Sequence, residues 1–183
     1  MTTPPDIRFV TPDLDALAAA EGRIALAVAE PGRLGQAGRR LNRLTKGALQ
    51  RFVDSDAFSR LKPGEARELA WPAGLAAEAV QVIRLPARPA VEEARKAGAA
   101  IARAANGAEV LAVGLPARAA AEVAMGYALR AYGFTECRSV GEEPPKAPGA
   151  LSVALNAPET AESDWAARAA VVAGTFLTRD LVN

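Results

Sequence analysis

Apolar residues in this chain alternate between short dense runs, which suit buried strands, and stripes spaced three and four apart, which suit helices packed on one face. Residues 6–10, DIRFV, place Ile7, Phe9 and Val10 in a first strand. TPDLDALAAAEG follows, with Thr11 placed to cap a short helix, Pro12 at its first position and Gly22 past its end. RIALAVAE is then almost wholly apolar from Arg23 to Ala29, the pattern of a central strand covered on both faces. A helix is predicted over residues 36–53, with Leu41, Leu44, Ala48 and Phe52 on its inner face.

The middle of the chain gives the firmest pattern. EAVQVIRL (residues 78–85) reads as a strand, and Pro89 opens a helix whose Val91, Ala94, Ala97, Gly98 and Ile101 share one face. Asn106 and Gly107 stop that helix, and EVLAVGL is another apolar strand, so the unit is a βαβ crossover. Glu92 and Glu93 lie in the first turn and Glu92 stands four residues before Lys96, which matches the helix macrodipole and predicts a charge pair along the solvent face. A further helix is predicted from Pro116 to Tyr132 with Gly133 as its stop. Its stripe of Ala120, Val123, Ala124, Tyr127, Ala128 and Ala131 is mostly small, allowing close approach to its neighbours. After the proline-rich loop GEEPPKAPG, residues 150–156 supply a last strand, and PETAESDWAARAAVVAG begins acidic and turns apolar, as a helix should. Strands alternating with helices predict a layered α/β domain.

Composition narrows the function classes. The 183 residues suit one domain with room for a terminal extension. Half of them are hydrophobic but only 5% are aromatic, so the core is predicted to be built from closely packed small side chains. No apolar run approaches the ~20 residues that span a bilayer, and MTTPPDIRFV lacks the basic and apolar regions of a signal peptide, which predicts a cytoplasmic protein without a membrane partner. The lone Cys137 reads as a packing residue, and the absence of histidine removes the commonest general base and zinc ligand.

Three stretches could carry chemistry. Gly32, Gly35 and Gly38 lie between a strand and a helix, where backbone N–H groups can cradle phosphate, although their spacing fits neither the dinucleotide fingerprint nor a Walker loop. That mismatch favours a flexible surface loop over a phosphate cradle. Arg33, Arg39, Arg40, Arg43, Lys46 and Arg51 lie in a segment without acidic residues, and Arg39, Arg40, Arg43 and Lys46 are the candidate contacts to a polyanion such as DNA. They also suit the solvated side of a helix, and a net charge of +1 with few aromatics favours that reading. Asp54 and Asp56 could pair for metal binding or acid/base work, but the lack of further clustered ligands favours their ending the helix and turning the chain. Trp71, before Pro72, is expected to pack in extended backbone, its exposure instead marking an interface, and Trp165 is expected to anchor the final helix. No nucleophile, base and orienting group come together in the pattern, so the residues alone support no catalysis.

The order of the motifs supplies what composition does not. KGALQRF followed by DAFSRLKPGEARELAWPAGLAAEAVQVIRL resembles the N-terminal region of the two-metal leucyl aminopeptidases (cytosol aminopeptidases), where a hairpin leads into an apolar strand. AAEVAMGYALRAYGFTECRS is similar to that family's helix ending in Tyr-x-Phe, here Tyr132 and Phe134, and Arg179 to Asn183 look like its Arg-Asp-Leu-Val-Asn junction. The chain departs from the pattern at QVIRLPAR, where Gly-Leu-Gly is usual, and at Cys137 and Arg138, near a usual Tyr-Lys pair.

The resemblance implies a macro-domain-like three-layer sandwich with a central mixed, largely parallel sheet flanked by helices. It places that domain in residues 1–157, with residues 158–183 as a linker helix and the start of a catalytic domain absent from this chain. The complete enzyme would release N-terminal amino acids from peptides with two divalent metals, zinc or manganese, and would assemble as a homo-hexamer. No catalytic or metal-binding residue of the family carries over to a numbered position here. The chain would then serve assembly and regulation, with DNA binding through the basic segment, or nucleotide or ADP-ribose binding through a macro-like crevice, as alternatives. Because TRDLVN would belong to the next domain, those six residues are expected to be poorly ordered or to borrow contacts from a neighbour.

Overall fold

The computed structural model describes residues 2–134 and 149–182, so Cys137, Arg138 and residues 141–148 of the proline-rich loop lie outside the described residues, as does Asn183. The strands are β1 (Ile7–Val10), β2 (Arg23–Val28), β3 (Ala66–Ala70), β4 (Ala79–Arg84), β5 (Val110–Val113) and β6 (Leu151–Ala154). The helices are α1 (Gln36–Leu44), α2 (Ala48–Val53), α3 (Asp56–Ser59), α4 (Val91–Ala105), α5 (Ala120–Arg130) and α6 (Pro158–Val182). Among the described residues the strands form one sheet in the order β1-β6-β5-β2-β4-β3. Every neighbouring pair is parallel except β3 and β4, a hairpin that supplies one edge.

Alternation along β2 sets the depth of the layers. Ile24, Leu26 and Val28 join Val80, Val82, Leu41, Leu49, Val53 and Phe58 in the core beneath α1, α2 and α3. Ala25 and Ala27 face the other way, against the core that α4 and α5 cover. Small side chains there let the helices sit close to the sheet, and α4 and α5 sit equally close to each other. A Cβ added to Gly98 would stand 1.9 Å from the Val123 carbonyl oxygen, and one added to Gly126 would stand 2.1 Å from that of Arg95. Helix α6 runs beside α5 and reaches β1. Its Ala161 joins the α4/α5 core, and Val172 and Phe176 are buried with Met125 and Ala128. The result is a three-layer α/β/α sandwich with a mixed, mostly parallel sheet.

Several boundaries differ from the sequence expectation for local physical reasons. Residues 11–22 hold only a 3-10 turn at Ala16–Ala18, because the Asp13 carboxylate accepts the N–H groups of Asp15 and Ala16 and closes the chain on itself. The single helix expected over residues 36–53 is two helices. Lys46 and Gly47 adopt left-handed backbone, with φ of 51° and 81°, and the break re-aims the chain so that Leu49 and Val53 become the buried positions. Asn42 caps the second piece through a 2.9 Å bond from the Gln50 N–H. Pro116 precedes a 3-10 turn at Ala117–Ala119, and α5 ends at Arg130, with Ala131 as its C-cap, rather than at Tyr132. Lys96 pairs at 3.1 Å with Glu65, outside its helix, instead of with Glu92.

Candidate functional site

Three places on the domain could meet a partner. The first is the crevice outside the carboxyl ends of the parallel strands, where open α/β sheets receive ligands. Pro12, Leu14, Gln36, Ala37, Leu115 and Asn156 help line a cavity of about 300 Å³ there, with no charged side chain on its wall. An adjoining cavity of about 280 Å³ is apolar apart from Thr11 and Asp13, and Val10, Leu17 and Leu111 lie on its wall. Gly35 precedes α1 beside this crevice, but Gly32 closes a turn by donating its N–H to Ala29 O at 2.8 Å, and Gly38 is buried under Leu34 and Leu26. The three glycines therefore do not converge on one phosphate-sized cradle. Among the described residues of the crevice wall, a nucleotide diphosphate would meet Gln36 and Asn156 and no cation.

The second place is the basic segment. Arg39, Arg43 and Lys46 are exposed at intervals of four and three residues, whereas Arg40 is half-buried, donating to Leu14 O at 3.3 Å and lying 3.7 Å from Asp15. Arg39 also donates to Leu34 O at 3.1 Å, and Arg51 to Lys46 O at 3.2 Å. The structure thus groups three of the four candidate residues and turns Arg40 inward to hold α1 on the Asp13 turn.

The third place is the far end of α6, where chain end and chain start meet. The Asp180 carboxylate accepts the Thr2 N–H at 2.6 Å, the Thr2 hydroxyl at 2.7 Å and the Tyr132 hydroxyl at 3.0 Å. Arg179 donates to Leu129 O at 3.2 Å and its guanidinium lies 5.1 Å from the centre of the Tyr132 ring. The hydrogen bonds from Thr2, side chain first and then backbone, hold the Asp180 carboxyl below its usual range. Residues 178–182 are thus helical, with Arg179 and Asp180 held by this domain, contrary to the expected loss of order; Leu181 and Val182 remain exposed.

Further up the same seam, Glu122 of α5 lies between Arg95 of α4 and Arg168 of α6, each at 2.7 Å. Burial pushes its carboxyl up, but the hydrogen bonds and charges of Arg168 and Arg95 outweigh that and hold it below its usual range. Tyr127 has its hydroxyl pushed up to about 12 by burial, and it donates to Gly149 O at 3.0 Å. Sequence reasoning missed Glu122 as the tie between three helices. The available signal was a carboxylate inside an otherwise apolar stripe.

The remaining candidates are structural. Asp54 accepts a 2.8 Å bond from Gln50 and Asp56 opens α3. Among the described residues no group of three or more His, Cys, Asp or Glu side chains is placed to hold a metal ion, so these residues do not fit a two-metal centre. Trp165 is half-buried between the α5/α6 cluster and the main core, as an anchor should be. Trp71 differs from its expected role as a packing residue. It is 77% exposed at the β3–β4 turn with φ of 47°, its N–H donating to Glu78 O at 2.7 Å. No helix among the described residues is long and apolar enough to cross a membrane.

Comparison with known proteins assigns this architecture. The family model "Cytosol aminopeptidase family, N-terminal domain" matches residues 25–140. A "Probable cytosol aminopeptidase" of Cereibacter sphaeroides is 46% identical over 183 residues, covering 100% of this chain and 37% of its own length. Its counterpart in Dinoroseobacter shibae is 45% identical over 185 residues, again covering 100% of the chain and 37% of the relative. Among solved structures, a tomato leucine aminopeptidase superposes with a TM-score of 0.66 at 20% identity, covering 100% of this chain and 39% of that one. A Trypanosoma brucei macrodomain in complex with ADP superposes at 0.61 and 15% identity, over 90% of this chain and 69% of the macrodomain. These two likenesses define a macro-like fold, while the family match and the two bacterial relatives define the lineage: the chain belongs to the cytosol aminopeptidase family, as its N-terminal domain.

Proposed function

We propose that this domain serves assembly and regulation in a longer, cytoplasmic metallo-aminopeptidase, and that the complete polypeptide releases N-terminal amino acids from peptides with two divalent metals, zinc or manganese. The observation that carries this reading is the match of the whole chain to only 37% of each bacterial relative. The donors for a two-metal centre then belong to the remainder of the polypeptide. On this reading residues 1–157 form the macro-like unit, and α6 leads from it into the catalytic domain. A homo-hexamer is the proposed assembly, and Trp71, exposed at the sheet edge, is a surface suited to subunit contact. The test is hydrolysis of leucyl p-nitroanilide by the full-length polypeptide loaded with manganese or zinc, alongside residues 1–183 alone. Release of nitroaniline by the full-length form and none by the shorter one is expected. No release by the full-length protein with either metal would overturn the reading.

A second reading rests on the exposure of Arg39, Arg43 and Lys46 along one side of the α1–α2 segment. Three phosphate contacts would give weak, sequence-independent DNA binding whose log K falls against log salt with a slope of about −3. Fluorescence anisotropy with a labelled duplex between low and moderate salt measures it. The triple replacement Arg39→Ser, Arg43→Ser and Lys46→Ser is expected to abolish the slope, and no binding at low salt would remove this reading.

A further inference from the structure

Helix α6 carries its charge on the wrong side for a surface helix. From Ala166 to Val182 it has three charged residues, Arg168, Arg179 and Asp180. All three face the domain: Arg168 bonds Glu122, Arg179 bonds Leu129 O and lies against Tyr132, and Asp180 holds Thr2 and Tyr132. The opposite side is uncharged and mostly apolar, and the hydroxyl of its exposed Thr178 is turned back onto the helix, donating to Gly174 O at 2.8 Å. Val171 is 53% exposed, Leu177 44% and Leu181 77%, with exposed Ala167, Ala170 and Gly174 between them. A helix whose outer side faces only water places its charges there, so a continuous apolar outer stripe marks a surface that something covers.

The stripe itself points to its occupant. The first turns of the outer side are hydrated, with Glu159, Ser163 and Asp164 exposed. From Ala166 onward the outer side is free of charge, and its largest exposed apolar side chains lie at the helix end, where Leu181 and Val182 are 77% and 82% exposed. That end is where the polypeptide of the longer relatives continues, since this domain is 37% of their length. A covalently continuous segment meets the stripe at an effective concentration in the millimolar range, well above that of a separate molecule. Small residues at Ala170 and Gly174 let another backbone approach the helix closely. We infer that the outer side of α6, centred on Val171, Leu177 and Leu181, is the docking surface on which the following domain of the same polypeptide packs. Helix α6 is then a shared wall, fastened to α5 by charge on one side and to the next domain by apolar contact on the other.

This inference rests on the reading of the chain as an N-terminal domain, and its test separates the two. In full-length protein with Cys137 and any cysteine of the remaining polypeptide replaced by serine, Leu177→Cys and Ser163→Cys place one thiol each on the apolar and hydrated parts of the same outer side. Maleimide labelling under native conditions is expected to be roughly 100-fold slower at position 177 than at 163, because labelling there requires local opening, and equal in urea. A photo-crosslinking side chain in place of Leu177 is expected to give adducts at the mass of a single chain. Equal native labelling at both positions would overturn the docking surface. Adducts of double mass would also overturn it, making a second copy the occupant. Protection with single-chain adducts in a protein that releases no nitroaniline would uphold the surface and overturn only the aminopeptidase reading.

Discussion

Gly98→Ala is expected to be among the most damaging single-methyl changes in this domain, lowering its stability by about 3 kcal/mol, at the upper end for overpacking and net of the ~1 kcal/mol that alanine gains over glycine in a helix. The reason is geometric. The added carbon would lie 1.9 Å from Val123 O and 2.6 Å from Tyr127 N, both backbone atoms of α5, so no side-chain rotation relieves the clash. The helices must separate, and Ala97 and Ile101 would lose contact with the core they fill. Gly126→Ala, whose Cβ meets Arg95 O at 2.1 Å from the other helix, is expected to do the same. The two changes act on one interface and should be less than additive, since the first separation makes room for the second methyl. Urea unfolding measures both, read as a shift in midpoint at constant slope. A midpoint for Gly98→Ala equal to that of the parent protein would mean that α4 and α5 are not in backbone contact.

Glu122→Ala is expected to destabilise by about 2 kcal/mol at neutral pH. A fully buried pair that loses one partner costs about 3–5 kcal/mol, and the lower figure applies because the two guanidinium groups left behind are partly solvated. The side chains of Arg95 and Arg168 are 45% and 30% exposed, against 11% for Glu122. The effect depends on pH in a definite direction. The carboxyl is held below its ordinary value of 4.5, so its contribution is complete above that value and disappears as pH falls through the lower folded one. Parent and variant should therefore differ most at pH 7 and converge well below pH 4.5. A penalty that persists unchanged into acid would assign the loss to packing and not to the ion pairs. Glu122→Gln, which keeps the shape and part of the hydrogen bonding, should fall between the two.

Five of the six described strands were legible because their apolar runs are dense, and α4 because its stripe and its Asn106–Gly107 stop act together; β3, with the sequence ARELA at the sheet edge, has no such run and entered only through the resemblance to the family's hairpin. Two of the failures share a cause, which is a polar side chain answering a local backbone group. Asp13 holds a 3-10 turn where the capping pattern predicted a helix, and Asn42 caps a second helix inside what reads as one. Such bonds leave no periodicity to read. The basic segment was legible as a cluster, yet Arg40 left it for Leu14 and Asp15, contacts made across a turn that the sequence did not predict. The terminal Arg-Asp element was recognised by resemblance alone. Its bonds to Tyr132 and Thr2 join positions 48 and 178 residues apart, a distance over which no local pattern carries information.

The grip of Asp180 on Thr2 has a practical corollary for anyone handling this domain. Because the two residues are in direct contact, an affinity tag joined ahead of Thr2 would emerge beside the end of the long helix, next to the surface proposed above to receive a following domain. A tag, fluorophore or surface attachment is better carried at an exposed position remote both from this meeting of Thr2 and Asp180 and from the Trp71 turn.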